Sequence, residues 1–464
     1  MFKTLVKKEI LNNLLNLRFV LAYFLCALLI IGSATVMISD YAAEKKAYEI
    51  SKSLYERRDR GQMQFFDYVF GSKIVERPPV VTRILALGGE KDADPRALVS
   101  PELSPYFFGD FKRNPLLNLF PSVDLVFIIG IIISLLVFML TYDAIPGERE
   151  EGTLKVLLSC PVPRDLILAA KWVGGFISLI LPIVTSALVV MIMLLFSRDV
   201  AMRADDWVRM AGIVGMCILY ITVLFSMSLA VSVLFKNSAS VILALLLLWV
   251  VWIITIPAIS APLAHHIVNP PGVWQRQVNM SRIGIIGWNQ ELIKLRDAWI
   301  AKYGKREYEE LTQQEKEDAG SLSAGGDLLH TRDIMDSIQM IGKSASRTDL
   351  RIELLGRNMA RISPYGCLQN ACVALAGTGM AHELALRSTV ETYEKGIMDF
   401  AAEKFNRDGP EKMLDPSEGP SPVFPREGAL AAVQYCIADI GILVIMGILF
   451  FMIAYLVFIR MEIL

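Results

Sequence analysis

Apolar residues gather into six long runs along this chain, near residues 18–38, 122–142, 172–197, 210–235, 239–260 and 429–460. A helix crossing a hydrocarbon core takes about 20 such residues, so each run is long enough to span a membrane. The third run, Trp172 to Ser197, and the fourth, Met210 to Phe235, hold no charged residue. Only Lys236, Asn237 and Ser238 separate the fourth run from the fifth, which makes the pair a tight hairpin. An even number of spans returns both termini to one side. The pattern predicts an all-α polytopic membrane protein of six transmembrane helices.

The polar stretches between the runs differ in length and character. Residues 1–17 place Phe2, Leu5, Val6, Ile10, Leu11, Leu14 and Leu15 against Lys3, Lys7, Lys8 and Asn12, a spacing that predicts an interfacial helix. Residues 39–121 form a first large loop, opening with a charged helical stretch (42–60) and passing through Arg77-Pro78-Pro79 and Gly88-Gly89. Residues 261–428 form a second, expected to be mainly α-helical. Helices are predicted over Asn289–Tyr303 and Leu384–Phe405, a linker over Gly320–Asp327, and an extended return over Asp408–Pro425. Residues 143–171 and 198–209 are short connections. Lys3, Lys7, Lys8, Arg18, Arg149, Lys155, Arg164, Lys171, Lys236 and Arg460 fall on one side, which the positive-inside rule assigns to the cytoplasm. Both termini and the 143–171 connection are therefore expected in the cytoplasm, and the two large loops outside.

Composition agrees with a membrane protein, at 54% hydrophobic and 20% charged residues over 464 positions. A net charge of −1 offers no basis for nucleic-acid binding. No cleavable signal pattern opens the chain, and its six cysteines include no metal-like CxxC pair. No phosphate-binding GxxxxGK[ST] occurs, nor HExxH or GxSxG, so neither a catalytic nor a metal site is expected. Leu322 to Asp327 superficially resembles an ABC ATPase signature and reads as a flexible linker. The adjacent His265 and His266 read as interfacial anchors. Cys367 and Cys372 are about one and a half turns apart on a helix, poorly placed for a disulfide.

Two acids lie in or beside spans: Asp439 within the sixth and Asp124 at the outer end of the second. An intramembrane carboxylate is a candidate for a translocation path or a conformational lock, against interfacial solvation or helix pairing. Pro182 and Pro257 are expected to kink spans three and five, and Gly174-Gly175 and Gly212/Gly215 to permit close helix approach.

The most informative polar segment is Gly147 to Lys171, GEREEGTLKVLLSCPVPRDLILAAK. Glu151 and Lys155 have the spacing of a favourable helical ion pair. Leu154, Leu157 and Leu158 make a short apolar face that needs a cover, Pro161 and Pro163 stop the helix, and Arg164-Asp165 start another. Two readings fit: a solvated loop with an interfacial helix, or a docking helix that passes a push from a partner into the membrane.

Tyr142-Asp143 and the segment after it resemble the ABC-2 type permease family, which carries E-x-x-x-G-T-[LF]-x-x-L-L, then Pro, a basic residue and Lys, between spans two and three. The matching positions are Glu148/Glu151, Gly152, Thr153, Leu154, Leu157, Leu158, Pro161, Arg164 and Lys171. Within the family the chain looks most similar to the NosY-like branch with large outer insertions, described as permeases for multicopper enzyme maturation. Ile362-Ser363-Pro364 and Ala374–Thr378 carry a second, weaker likeness. The outer loops lack the Met- or His-rich clusters of metal-handling segments.

The resemblance implies a bacterial inner-membrane protein with type V exporter-like topology, itself non-catalytic. It implies a second permease copy, as homodimer or heterodimer, and an ATPase subunit that binds ATP and Mg and receives residues 148–160 as a coupling helix. Shorter family members lack both outer loops. That departure leaves two functions open: export of a substrate, or mechanical transmission to an envelope partner.

Overall fold

The structure is a computed structural model that describes residues 2–58, 61–88, 95–100, 103–107, 124–159, 161–304, 312, 340, 344, 347–409, 412–425 and 428–460. Among these, six helices are long and apolar enough to cross a membrane. Span one is Leu17–Arg58, span three Arg164–Phe196, span four Ala204–Leu234 and span six Ala429–Arg460. Span two passes from Leu125–Phe127 through π-helical Ile128–Ile133 to Ser134–Thr141. Span five passes from Ser238–Leu248 through π-helical Trp249–Thr255 to Ile256–Val268. The π segment of span five ends just before Pro257, where the helix ladder must do without one N–H donor. Pro182, by contrast, lies inside a helix that continues past it.

Span four is the centre of the bundle, with 78% of its apolar window buried against 17% for spans five and six. Spans five and six therefore offer their apolar faces to lipid or to another chain. Glycine sets how closely neighbours approach the centre. A Cβ on Gly175 would meet the Phe225 ring at 2.5 Å, and one on Gly212 would meet Leu375 at 3.3 Å.

At the end of the bundle that carries both termini, the interfacial helix Phe2–Leu15 lies along span three. A Cβ on Gly174 would meet Glu9 at 2.6 Å, so the close approach needs glycine there. Asn13 Nδ2 donates to Ser178 Oγ at 3.4 Å. Asn16 then interrupts the helix, and its side chain accepts from the Arg18 backbone N–H at 3.0 Å to cap span one.

Span one differs from expectation. The span and the charged stretch after it form one helix of 42 residues, about 63 Å at 1.5 Å per residue. Between Ser39 and Tyr55 there is no Gly or Pro, and Ala42, Ala43, Glu44, Lys45, Lys46 and Ala47 are strong helix formers, so nothing stops the helix at the membrane edge.

At the opposite end the two large loops interlock into one unit that is not wholly helical. Strands β1 (Lys73–Glu76), β2 (Arg96–Ser100) and β3 (Leu103–Phe107) form an antiparallel meander. Val75, Ala97 and Val99 pack on Leu386 and Val390 of the helix Met380–Asp408, which belongs to the second loop. Phe65, Tyr68 and Val69 pack on Ile397, Met398 and Ala401 of the same helix. Met63 and Leu414 exchange backbone hydrogen bonds at 2.9 and 2.8 Å, closing the two loops on each other. The Gly320–Asp327 linker lies outside the described residues.

The second loop also returns into the bundle. Residues 347–360 are helical and are followed by the helix Pro364–Ala376, whose buried face belongs to the main core. Its path can be followed along span four. Arg209 Nη1 donates to the Leu375 carbonyl at 3.0 Å, and Cys217 lies against Cys372. Deeper still, the Tyr365 ring covers Gly130, whose carbonyl accepts from Tyr220 at 2.7 Å. Tyr220 is about 16 Å below Arg209 on a helix of about 46 Å in all. The tip of this hairpin thus reaches the middle of span four. Cys367 and Cys372 are both buried free thiols.

Candidate functional site

The polar island after span two is built from two short helices, Pro146–Glu150 and Thr153–Ser159. Gly152 joins them at φ 77°, with open space where a Cβ would stand, so the turn needs glycine for its backbone and not for packing. The Thr153 hydroxyl donates to the Glu148 carbonyl at 3.2 Å across that turn. The expected Glu151–Lys155 helical pair is not formed as such, because Glu151 sits with Gly152 in the turn, outside the helix that carries Lys155.

The island is attached to the bundle at several points. Glu148 Oε1 accepts from Lys171 Nζ at 2.7 Å, and Glu9 of the interfacial helix holds the same ammonium at 3.5 Å. The Lys171 side chain is only 6% exposed, and Glu148 Oε2 is buried without a partner among the described residues. Glu150 accepts from the backbone N–H and the hydroxyl of Ser238, at 2.8 and 3.0 Å, at the start of span five. Asn237, at the N-cap of that helix, makes no side-chain cap bond, so Glu150 serves in its place. Asp143, just before the island, accepts from Arg18 of span one at 3.2 Å. Arg164, just after it, donates to the Ile459 carbonyl at the end of span six at 3.0 Å.

The apolar face expected to await a cover is covered by the chain itself. Leu154 is 3% exposed among Ile145, Ile167, Leu168, Leu229 and Phe458, and Leu157 packs at the edge of that cluster. Leu158 belongs to the same helix, with its side chain outside the described set. The opposite face is open: Glu151, Gly152, Thr153, Lys155, Ser159 and Pro161 are exposed, and Val156 is 68% exposed.

The two candidate acids of the spans are also engaged, each by its own partners. Asp124 caps span two by accepting from Phe127 N–H at 2.8 Å, and its second oxygen accepts from Leu87 N–H at 3.0 Å. It thereby holds the first loop against the bundle. Asp439 is fully buried and is held by two arginines of the hairpin. Arg361 grips it with Nε at 2.8 Å and Nη2 at 3.1 Å, and Arg357 adds Nη2 at 2.9 Å. Arg357 also donates to the Tyr435 carbonyl at 2.8 Å, while its Nε is buried with no acceptor among the described residues. Sequence reasoning gave no sign of Glu9, Glu150, Arg357 or Arg361. Their charges look like ordinary solvated positions until the fold brings the partners together.

Five spans around a buried fourth helix, with a polar island tied to the bundle at the end that carries both termini, define a polytopic membrane protein. The chain belongs to the ABC-2 family: the model described as ABC-2 family transporter protein matches residues 3–463. It is thus a membrane component of the ABC transporter class. A comparison with curated proteins finds no match.

Proposed function

We propose that this chain is the permease subunit of an ABC-2 transporter and couples ATP hydrolysis on a separate ATPase subunit to export of a substrate. In this reading ATP and Mg bind the partner, the termini and island face the cytoplasm of a bacterial cell, and two permease chains pair in the inner membrane. The supporting observation is the division of the island into two faces. One face is tied through Asp143, Glu148, Glu150, Leu154 and Arg164 to spans one, three, four, five and six. The other, made of Glu151, Gly152, Thr153, Lys155, Val156, Ser159 and Pro161, is exposed. A push on the second face would reach these spans as one movement.

Glu151 and Val156 are the residues that meet the ATPase, whereas Glu148 positions the island. The double variant Glu151→Arg/Val156→Asp should abolish co-purification with the ATPase. Its melting temperature should stay near wild type, since exposed substitutions shift stability by about 0.5 kcal/mol or less. Retained ATPase binding and stimulation would overturn the docking surface.

A second reading, transmission of force to an envelope partner without transport, is favoured by the length of span one. That helix continues past the membrane-spanning run to carry Glu44, which pairs with Arg83, and Lys45, which donates to the Asp199 carbonyl at 2.9 Å. ATP-dependent movement of the outer unit with no transported ligand would select it. In both readings Asp124 and Asp439 act as locks on the outer segments and not as steps in a path.

A further inference from the structure

The interfacial helix borders a groove that no step above uses. Val6, Ile10 and Leu11 face Val173 of span three across an open groove of about 460 Å³, with Phe2, Lys3 and Lys7 completing its lining. That volume falls within the range of small-molecule sites, roughly 300–1,000 Å³. The helix that forms the wall is anchored, by Glu9 to Lys171 and by Asn13 to Ser178, so the groove is a fixed feature of the fold.

Its chemistry is divided in the way a lipid is divided. The interior is aliphatic and aromatic, and the polar lining consists of two lysines one helical turn apart on one edge. Glu9, the one acid of this helix, is turned onto Lys171, so it does not neutralise them. The helix packs on span three near the end that carries both termini, where its apolar and basic pattern suits headgroup depth and basic residues attract anionic lipid. We infer that this groove seats one anionic phospholipid, its acyl chain against Val6, Ile10 and Val173 and its phosphate between Lys3 and Lys7. The site extends the proposed function without depending on it: a seated lipid fixes the angle of the helix that presents Glu9 to Lys171, and so steadies the island.

The test uses the full chain in vesicles of phosphatidylcholine with a minor fraction of phosphatidylglycerol. After extraction in mild detergent, native mass spectrometry counts the lipids that stay bound. Phosphatidylglycerol should be retained above its share of the vesicle. Lys7→Gln should lower that retention about fivefold, the factor expected for one basic residue at an anionic surface. Lys8→Gln removes the same charge beside the groove and should leave retention unchanged. Ile10→Trp fills the groove, keeps every charge, and should also lower retention. Absence of enrichment, or equal losses in the Lys7 and Lys8 variants, would overturn the site and leave only general attraction of a basic helix to the surface. None of these readouts involves the ATPase, so failure of the docking surface and failure of the lipid site are separately visible.

Discussion

Lys171 and Asp439 are each a single buried charge gripped by two opposite charges from other parts of the chain, yet the two clusters are built differently. Lys171 offers a compact ammonium to Glu148 at 2.7 Å and Glu9 at 3.5 Å, and those carboxylates remain 20% and 16% exposed. Asp439 is completely enclosed and receives a two-pronged guanidinium from Arg361 plus a third donor from Arg357. A planar fork fixes direction as well as distance, whereas an ammonium can swing between acceptors. The hairpin is therefore held in one pose at the middle of the bundle, and the island is held by contacts that survive a small shift. In the coupling role proposed above, a segment that passes on a push is better served by the Lys171 arrangement.

Breaking the deep cluster should have the largest effect. Asp439→Asn takes the shared, fully buried counter-charge from two guanidinium groups and weakens three charge-assisted hydrogen bonds, at a cost of about 3 kcal/mol. Thermal unfolding in detergent should show a large drop, partly restored by adding Arg361→Gln, which removes one of the stranded charges. Lys171→Met should come next, at about 1–2 kcal/mol, because it removes one short charge-assisted bond to Glu148 and one long one to Glu9. Equal losses in the two variants would mean that the clusters are alike and the contrast between them is wrong.

The spans were legible because length and apolar content alone decide whether a helix can cross a membrane. The island was legible as a segment but not in its facing. Leu154 reads as an exposed anchor until Phe458 and Leu229, from spans hundreds or dozens of residues away, are seen to cover it. The hairpin was not legible at all. Pro364–Ala376 has 13 residues, too few for a span at about 20, and its mixture of Gln369, Asn370 and small residues suits a helix in water equally well. Asp439 was visible as an anomaly, but its arginines lie 78 and 82 positions upstream with no periodic relation to it. The three-stranded sheet escaped notice because its strands are only four or five residues long, near the lower limit for recognising alternation.

Within the island the attachments can be graded further. Gly152→Ala forces a side chain into the left-handed region at φ 77°, costing about 1–2 kcal/mol locally with no clash to add to it. The expected readout is weaker stimulation of the proposed ATPase partner beside a melting temperature lowered by a few degrees, because the turn sets the angle of the helix that carries Val156. Glu150→Gln should have the smallest effect, about 0.5 kcal/mol, since the amide keeps an oxygen for Ser238 and loses only the charge facing the start of span five. Hydrogen exchange at residues 238–241 should rise while the rest of the bundle is unaffected. If Glu150→Gln instead weakened the protein as much as Lys171→Met, the island's principal hold would be on span five. The push would then enter the bundle through the hairpin of spans four and five and not through span three.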